Sequence, residues 1–105
     1  MAVTYVPVAE LDELAELKMK AVKVEGREMV VTLLNGKPVA FERNCPHEGW
    51  YLDKGAIYGG SVYCDDHNYA FDLQTGVCTQ PTGGPSLALF PIEEHDGKWC
   101  VRVED

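Results

Sequence analysis

Apolar residues along this chain recur mainly at every second position, in short runs closed off by glycine, proline or asparagine. That is the pattern of an antiparallel all-β domain. Tyr5 to Val8 reads as a first strand, and residues 18–25 place Val22 and Val24 on one face before a turn at Gly26-Arg27 leads into residues 28–34. Asn35-Gly36 is the strongest hairpin signal, because both residues tolerate positive φ, and residues 38–43 return alongside. One helix is expected. Leu11, Leu14 and Leu17, spaced by three, would give residues 10–17 the apolar stripe of a short amphipathic helix.

The texture changes from Asn44 to about Pro85, where glycine and proline become frequent and the strand-like pieces are short, as at residues 61–64 and 69–72. Strand character returns at residues 87–92 and 98–103. The second of these sets Trp99, Val101 and Val103 on one face, after a turn at His95-Asp96-Gly97. The chain therefore predicts a single domain with a base built from both ends, residues 1–43 and 86–105, and a ligand-bearing subdomain inserted over residues 44–85. A length of 105 residues leaves room for one modest core, which metal cross-links would usefully reinforce.

The chemistry is concentrated in the insert. Cys45-Pro46-His47 and Cys64-Asp65-Asp66-His67 are separated by sixteen residues, and together they offer two thiolates and two imidazoles from two short loops. Such a set closes a four-ligand site, and C-x-H followed by C-x-x-H is the arrangement that holds a [2Fe-2S] cluster by mixed ligation. A structural zinc site uses the same residue types. Its paired ligands are usually spaced by two to four residues, so a C-x-H pair suits it poorly. Gly49, Gly55, Gly59 and Gly60 would let the backbone bend sharply and turn amide N–H groups toward the sulfurs.

Charge narrows the partners. Seventeen acidic against nine basic side chains give a formal net charge of -8, which opposes nucleic acid and anionic lipid and favours a protein with a basic docking patch. No apolar run approaches the roughly 20 residues that span a bilayer, and no basic segment precedes an apolar one at the N-terminus, so a cytoplasmic protein is expected. Four cysteines are compatible with disulfides, but two sit beside histidines and no secretion signal is present, which favours metal.

The stretch NCPHEGWYLDKGAIYGGSVYCDDHNYAFD, residues 44–72, resembles the cluster-binding region of Rieske ferredoxins, and the flanking strands fit that family across essentially the whole chain. The resemblance implies an incomplete antiparallel β-barrel or sandwich carrying a small β subdomain. It also implies one [2Fe-2S] cluster, with Cys45 and Cys64 on the inner iron and His47 and His67 on the outer one. In such a cluster two neutral imidazoles replace two thiolates, which removes negative charge and makes an added electron easier to accept. A segment corresponding to Gln80-Pro81-Thr82-Gly83-Gly84-Pro85 covers the cluster in the family without donating a ligand.

By the same resemblance the centre belongs to the low-potential class, toward the lower end of a range of roughly -150 to +300 mV. High-potential members tie the two ligand loops with a disulfide, at positions where this chain has Trp50 and Asp66. They also place a serine and a tyrosine hydroxyl where it has Tyr69 and Phe71. Glu48, Asp65 and Asp66 add three anions to the ligand loops, which are expected to hold the potential down and form an acidic docking rim.

Trp50 and Tyr51 are expected to pack between the subdomains, with exposed aromatics at a docking surface as the alternative, Cys100 to be a semi-exposed spare thiol sharing a face with Arg102, and His95 to be a solvated turn residue. With His47 and His67 used, only His95 remains, too few for the two-histidine-one-carboxylate iron of a Rieske oxygenase. The expected function is a monomeric one-electron carrier between a reductase and a terminal oxygenase or similar oxidoreductase, not itself an enzyme. A small subunit of a larger complex, such as a nitrite reductase, and a zinc-binding structural module are the alternatives.

Overall fold

The run Met29-Val30-Val31-Thr32-Leu33-Leu34 offers no polar face, and in the computed structural model of this chain it is covered on both sides. The structure describes residues 3–46, 49–64 and 69–104. Eleven strands lie among them: β1 (Val3–Glu10), β2 (Lys20–Val24), β3 (Arg27–Leu34), β4 (Lys37–Glu42), β5 (Ala56–Tyr58), β6 (Ser61–Tyr63), β7 (Ala70–Asp72), β8 (Cys78–Gln80), β9 (Leu89–Phe90), β10 (Ile92–His95) and β11 (Lys98–Glu104). They form three antiparallel sheets in the orders β1-β11-β10, β2-β3-β4-β9 and β5-β6-β7-β8.

Two-residue turns set the registers. Asn35 and Gly36 both have positive φ, 55° and 76°, and pair Leu34 with Lys37. Both central residues also have positive φ at Glu25-Gly26, Gly59-Gly60 and Asp96-Gly97, the requirement of a turn whose twist matches that of the flanking strands. The first of these falls one residue earlier than expected, pairing Val24 with Arg27.

Period-two alternation then divides β3 between two cores. Met29, Val31 and Leu33 face the sheet containing β1 and β11, where Ala9, Leu14, Val24, Ala40 and Val101 are buried and Trp99 and Val103 pack against them. Val30 and Leu34 face the other way and join Phe41, Leu52, Ile57, Val62, Phe71 and Leu87 under the inserted segment. Thr32 is fully buried, and its hydroxyl donates to the Lys18 carbonyl at 2.7 Å, which offsets the cost of desolvation. The two base sheets form an open sandwich, and the third sheet rests on the back of the second.

The helix expected over residues 10–17 does not form. Leu14 reaches the core, but Leu11 and Leu17 remain 37% and 43% exposed, so the spacing by three never becomes a buried stripe. The connector's bonds go to neighbouring strands instead: Leu17, at φ 62°, donates its N–H to the Leu33 carbonyl at 2.8 Å, and the Glu16 carboxylate accepts from the N–H groups of Asn35 and Gly36. Glu13 accepts the Glu10 N–H and pairs with Lys20, which holds its carboxyl below the usual range. A stretch this short, with one leucine able to bury, gains too little to nucleate a helix against those bonds. Among the described residues no helix is long and apolar enough to cross a membrane.

Candidate cluster-binding site

Cys45 is the last residue before the tip of a narrow hairpin. At its root the Leu52 N–H donates to the Arg43 carbonyl at 2.7 Å, Asn44 bridges Tyr51, and the Cys45 N–H donates to the Trp50 carbonyl at 2.7 Å. Gly49 closes the turn by donating to the Cys45 carbonyl at 2.7 Å, and the Asn44 side-chain amide braces the Gly49 carbonyl at 3.0 Å. Cys64 occupies the same place on a second hairpin. There β6 and β7 pair Tyr63 with Ala70, and the Cys64 N–H donates to the Tyr69 carbonyl at 2.7 Å.

In both hairpins a cysteine amide is bonded to an aromatic residue five positions on. This spacing, Cys45 to Trp50 and Cys64 to Tyr69, is visible in the sequence but went unused beside the ligand motif. Both thiols are uncrosslinked and buried, at 2% and 3% exposure, and both belong to the apolar cluster with Leu52, Ile57, Val62 and Phe71. The fold thus brings the two predicted cysteines into one core. His47 and His67, together with Glu48, Asp65 and Asp66, lie outside the described residues.

The segment Gln80–Pro85 leaves the sheet at the same end as the second hairpin, since Tyr63, Ala70 and Gln80 are successive cross-strand neighbours. It begins with a cis Gln80-Pro81 bond, Thr79 bridges Thr82, and Gly84 donates to the Pro81 carbonyl at 3.2 Å. The buried Cys78 thiol lies beneath it, 3.1 Å from the Pro81 carbonyl and 3.4 Å from that of Gln80. Cys78 is therefore a packing residue that fixes this loop from below.

Two expectations are corrected. Trp50 and Tyr51 are not packed between subdomains: they are 51% and 39% exposed, because the hairpin stands out from the core and directs its exit arm to the surface. Tyr51 instead carries the Arg43 guanidinium over its ring, 3.8 Å from the centroid. Asp53 and then Glu28 hold that guanidinium above its ordinary pKa. Cys100 is buried, at 4% exposure, although its strand position opposes Trp99 and Val101. It lies between β1 and β10, opposite Pro7 and Glu93, with its thiol toward the carbonyls of His95 and Lys98. Burial, and secondarily Asp96, pushes its pKa up. His95 stacks on Tyr5 at 3.7 Å and contacts Glu93 at 3.2 Å, on the base rather than on the hairpins.

These features define an all-β protein with two cysteine-bearing hairpins over a shared core. The Rieske [2Fe-2S] domain model matches residues 4–91, and the chain belongs to that family, whose cofactor is the [2Fe-2S] cluster. The ferredoxin component of the naphthalene 1,2-dioxygenase/salicylate 5-hydroxylase systems of Ralstonia sp is 26% identical over 106 residues, covering 99% of this chain and 100% of that protein. The oxidoreductase NdmD of Pseudomonas putida is 28% identical over 100 residues, covering 87% of this chain, which spans 17% of NdmD's length. Among solved structures, the ferredoxin of carbazole 1,9a-dioxygenase from Nocardioides aromaticivorans IC177 superposes with a TM-score of 0.86 at 27% identity, covering 93% of this chain and 96% of that one.

Proposed function

We propose that this chain is a one-electron carrier, not itself catalytic, that passes electrons from a reductase to a terminal oxygenase or similar oxidoreductase. Residues 44–85 form its cluster-binding subdomain, and residues 1–43 and 86–105 its base. The observation that carries the reading is the matched pair of hairpins, each delivering a buried, uncrosslinked cysteine to one core. Those thiols fit a [2Fe-2S] cluster: they come from separate loops and lie among apolar side chains that keep water from the inner iron. Cys45 and Cys64 would hold that iron, and His47 and His67 the outer one, where the cluster supplies one-electron chemistry. Gln80–Pro85, pinned by Cys78, would shield the sulfurs without supplying a ligand.

Visible absorption, iron and sulfide analysis, and electron paramagnetic resonance after dithionite reduction test this directly. A red-brown protein with acid-labile sulfide is expected, with an average g below that of an all-thiolate cluster because nitrogen replaces two sulfurs. A colourless protein containing zinc alone would overturn the assignment.

The net charge of -8, with Glu48, Asp65 and Asp66 in the ligand loops, supports docking to a basic patch on the partner and a potential in the low range. Stopped-flow reduction by the reductase should slow as ionic strength rises from about 0.01 to 0.15 M, over which the screening length falls from about 30 to 8 Å. A salt-independent rate removes the electrostatic part of the proposal.

A further inference from the structure

We propose that Arg43 is the positioning residue of the first hairpin, the charged side chain that ties the Cys45 loop to the base. The inference rests on reading Cys45 as a cluster ligand. Arg43 stands at the hairpin root, where its backbone N–H donates to the Glu28 carbonyl of β3 at 3.2 Å and its carbonyl accepts the Leu52 N–H at 2.7 Å. Its guanidinium then meets three residues on two separate pieces of chain. Nη1 donates to Glu28 Oε2 at 2.7 Å on the base strand, and Nε and Nη2 donate to the two Asp53 oxygens at 2.9 and 3.4 Å in the 3-10 turn at Leu52–Lys54. Its flat face lies on the Tyr51 ring in the exit arm of the hairpin.

This use needs arginine. Lysine carries the same charge but is a point donor, without a fork to span Asp53 while reaching Glu28 and without a planar face for Tyr51. The Arg43 and Asp53 side chains are only 19% and 14% exposed, so removing the guanidinium strands a largely desolvated carboxylate beside the hairpin root. No other ion pair among the described residues joins this hairpin to the base, so Arg43 is the charged anchor that adds to the backbone bonds and to the burial of Leu52 in holding it there. A carrier must hold its ligand loops in one geometry through both oxidation states, and Arg43 does this for the first loop.

The experiment compares holoprotein variants Arg43→Lys, Tyr51→Leu and Lys20→Met. The last breaks the Lys20 to Glu13 pair, a contact between β2 and the 10–17 connector that involves no residue of the hairpin, and controls for general loss of stability. Cluster release into an iron chelator is followed by visible absorption, and the reduced cluster by electron paramagnetic resonance. Arg43→Lys is expected to release the cluster about tenfold faster and to broaden or shift its g values, as loss of a bidentate anchor frees the loop. Tyr51→Leu should change both readouts in the same direction and by less, and Lys20→Met should leave the spectrum unchanged. Wild-type release and spectrum in both Arg43→Lys and Tyr51→Leu would overturn the proposal, as would an equal spectral change in Lys20→Met. A Cys45→Ser variant that keeps its cluster would instead overturn the underlying ligand reading.

Discussion

Serine at Cys64 is expected to yield a folded but colourless protein, whereas serine at Cys78 is expected to keep the full visible spectrum. The comparison is informative because the two thiols are equally hidden, at 3% and 2% exposure, in the same apolar cluster. Each replacement puts a hydroxyl where a thiol was, and the desolvation cost, about 1–3 kcal/mol where no partner is found, bears on both. At Cys78 the hydroxyl has carbonyl acceptors at hand on Gln80 and Pro81, so its cost is the smaller. At Cys64, on the proposed ligation, the change would also remove a thiolate, for which a hydroxyl of far higher pKa is a poor substitute at iron. Iron content and absorption per chain separate the two effects. A Cys64→Ser protein with unchanged iron, sulfide and spectrum would exclude Cys64 as a ligand.

Alanine at Gly76 is expected to cost about 2–5 kcal/mol of stability. Gly76 is buried at the turn between β7 and β8, at φ +80°, a conformation costing about 1–2 kcal/mol for an L side chain. Its Cβ would also run into the backbone carbonyl of Leu87, and overpacking of a tight site adds about 1–3 kcal/mol. That carbonyl cannot easily swing aside. Gly76 donates to the Asp72 carbonyl at 2.7 Å while its own carbonyl accepts the Leu87 N–H at 2.8 Å, which is how the chain leaving the insert is tied back to the base. Gly36→Ala is the control, since it has a similar φ, +76°, and nothing within 4 Å. Urea denaturation of the two holoproteins should give a midpoint clearly lower for Gly76→Ala, and equal midpoints would show that the Leu87 contact carries no weight.

The ligand motif was legible because metal chemistry restricts residue type and spacing so severely that Cys45, His47, Cys64 and His67 stand out without any structure. The hairpins at Asn35-Gly36 and Asp96-Gly97 were legible for a similar reason: positive φ at successive residues is a local demand that few side chains meet. Trp50 and Cys100 were not. A tryptophan is usually buried, but its exposure depends on how far the Cys45 hairpin projects; an outward strand position usually means solvent, but Cys100 is covered from neighbouring strands. The 10–17 segment failed for a related reason, because leucine spacing describes what a helix could bury and not whether a partner surface is there to receive it.

By itself, then, the sequence determined the strand-rich class, the tight turn at Asn35-Gly36, the paired cysteine-histidine motif and the net charge of -8, all properties written in residue type and short spacing. Only the tertiary structure decided that β3 feeds two cores, that the two cysteines sit at equivalent places on matched hairpins, and that Arg43 joins Glu28, Tyr51 and Asp53. Those depend on contacts between residues far apart in the chain, as between Val31 and Val101 in one core, and on sheets whose strand order in space is not their order in the chain, so no local pattern encodes them.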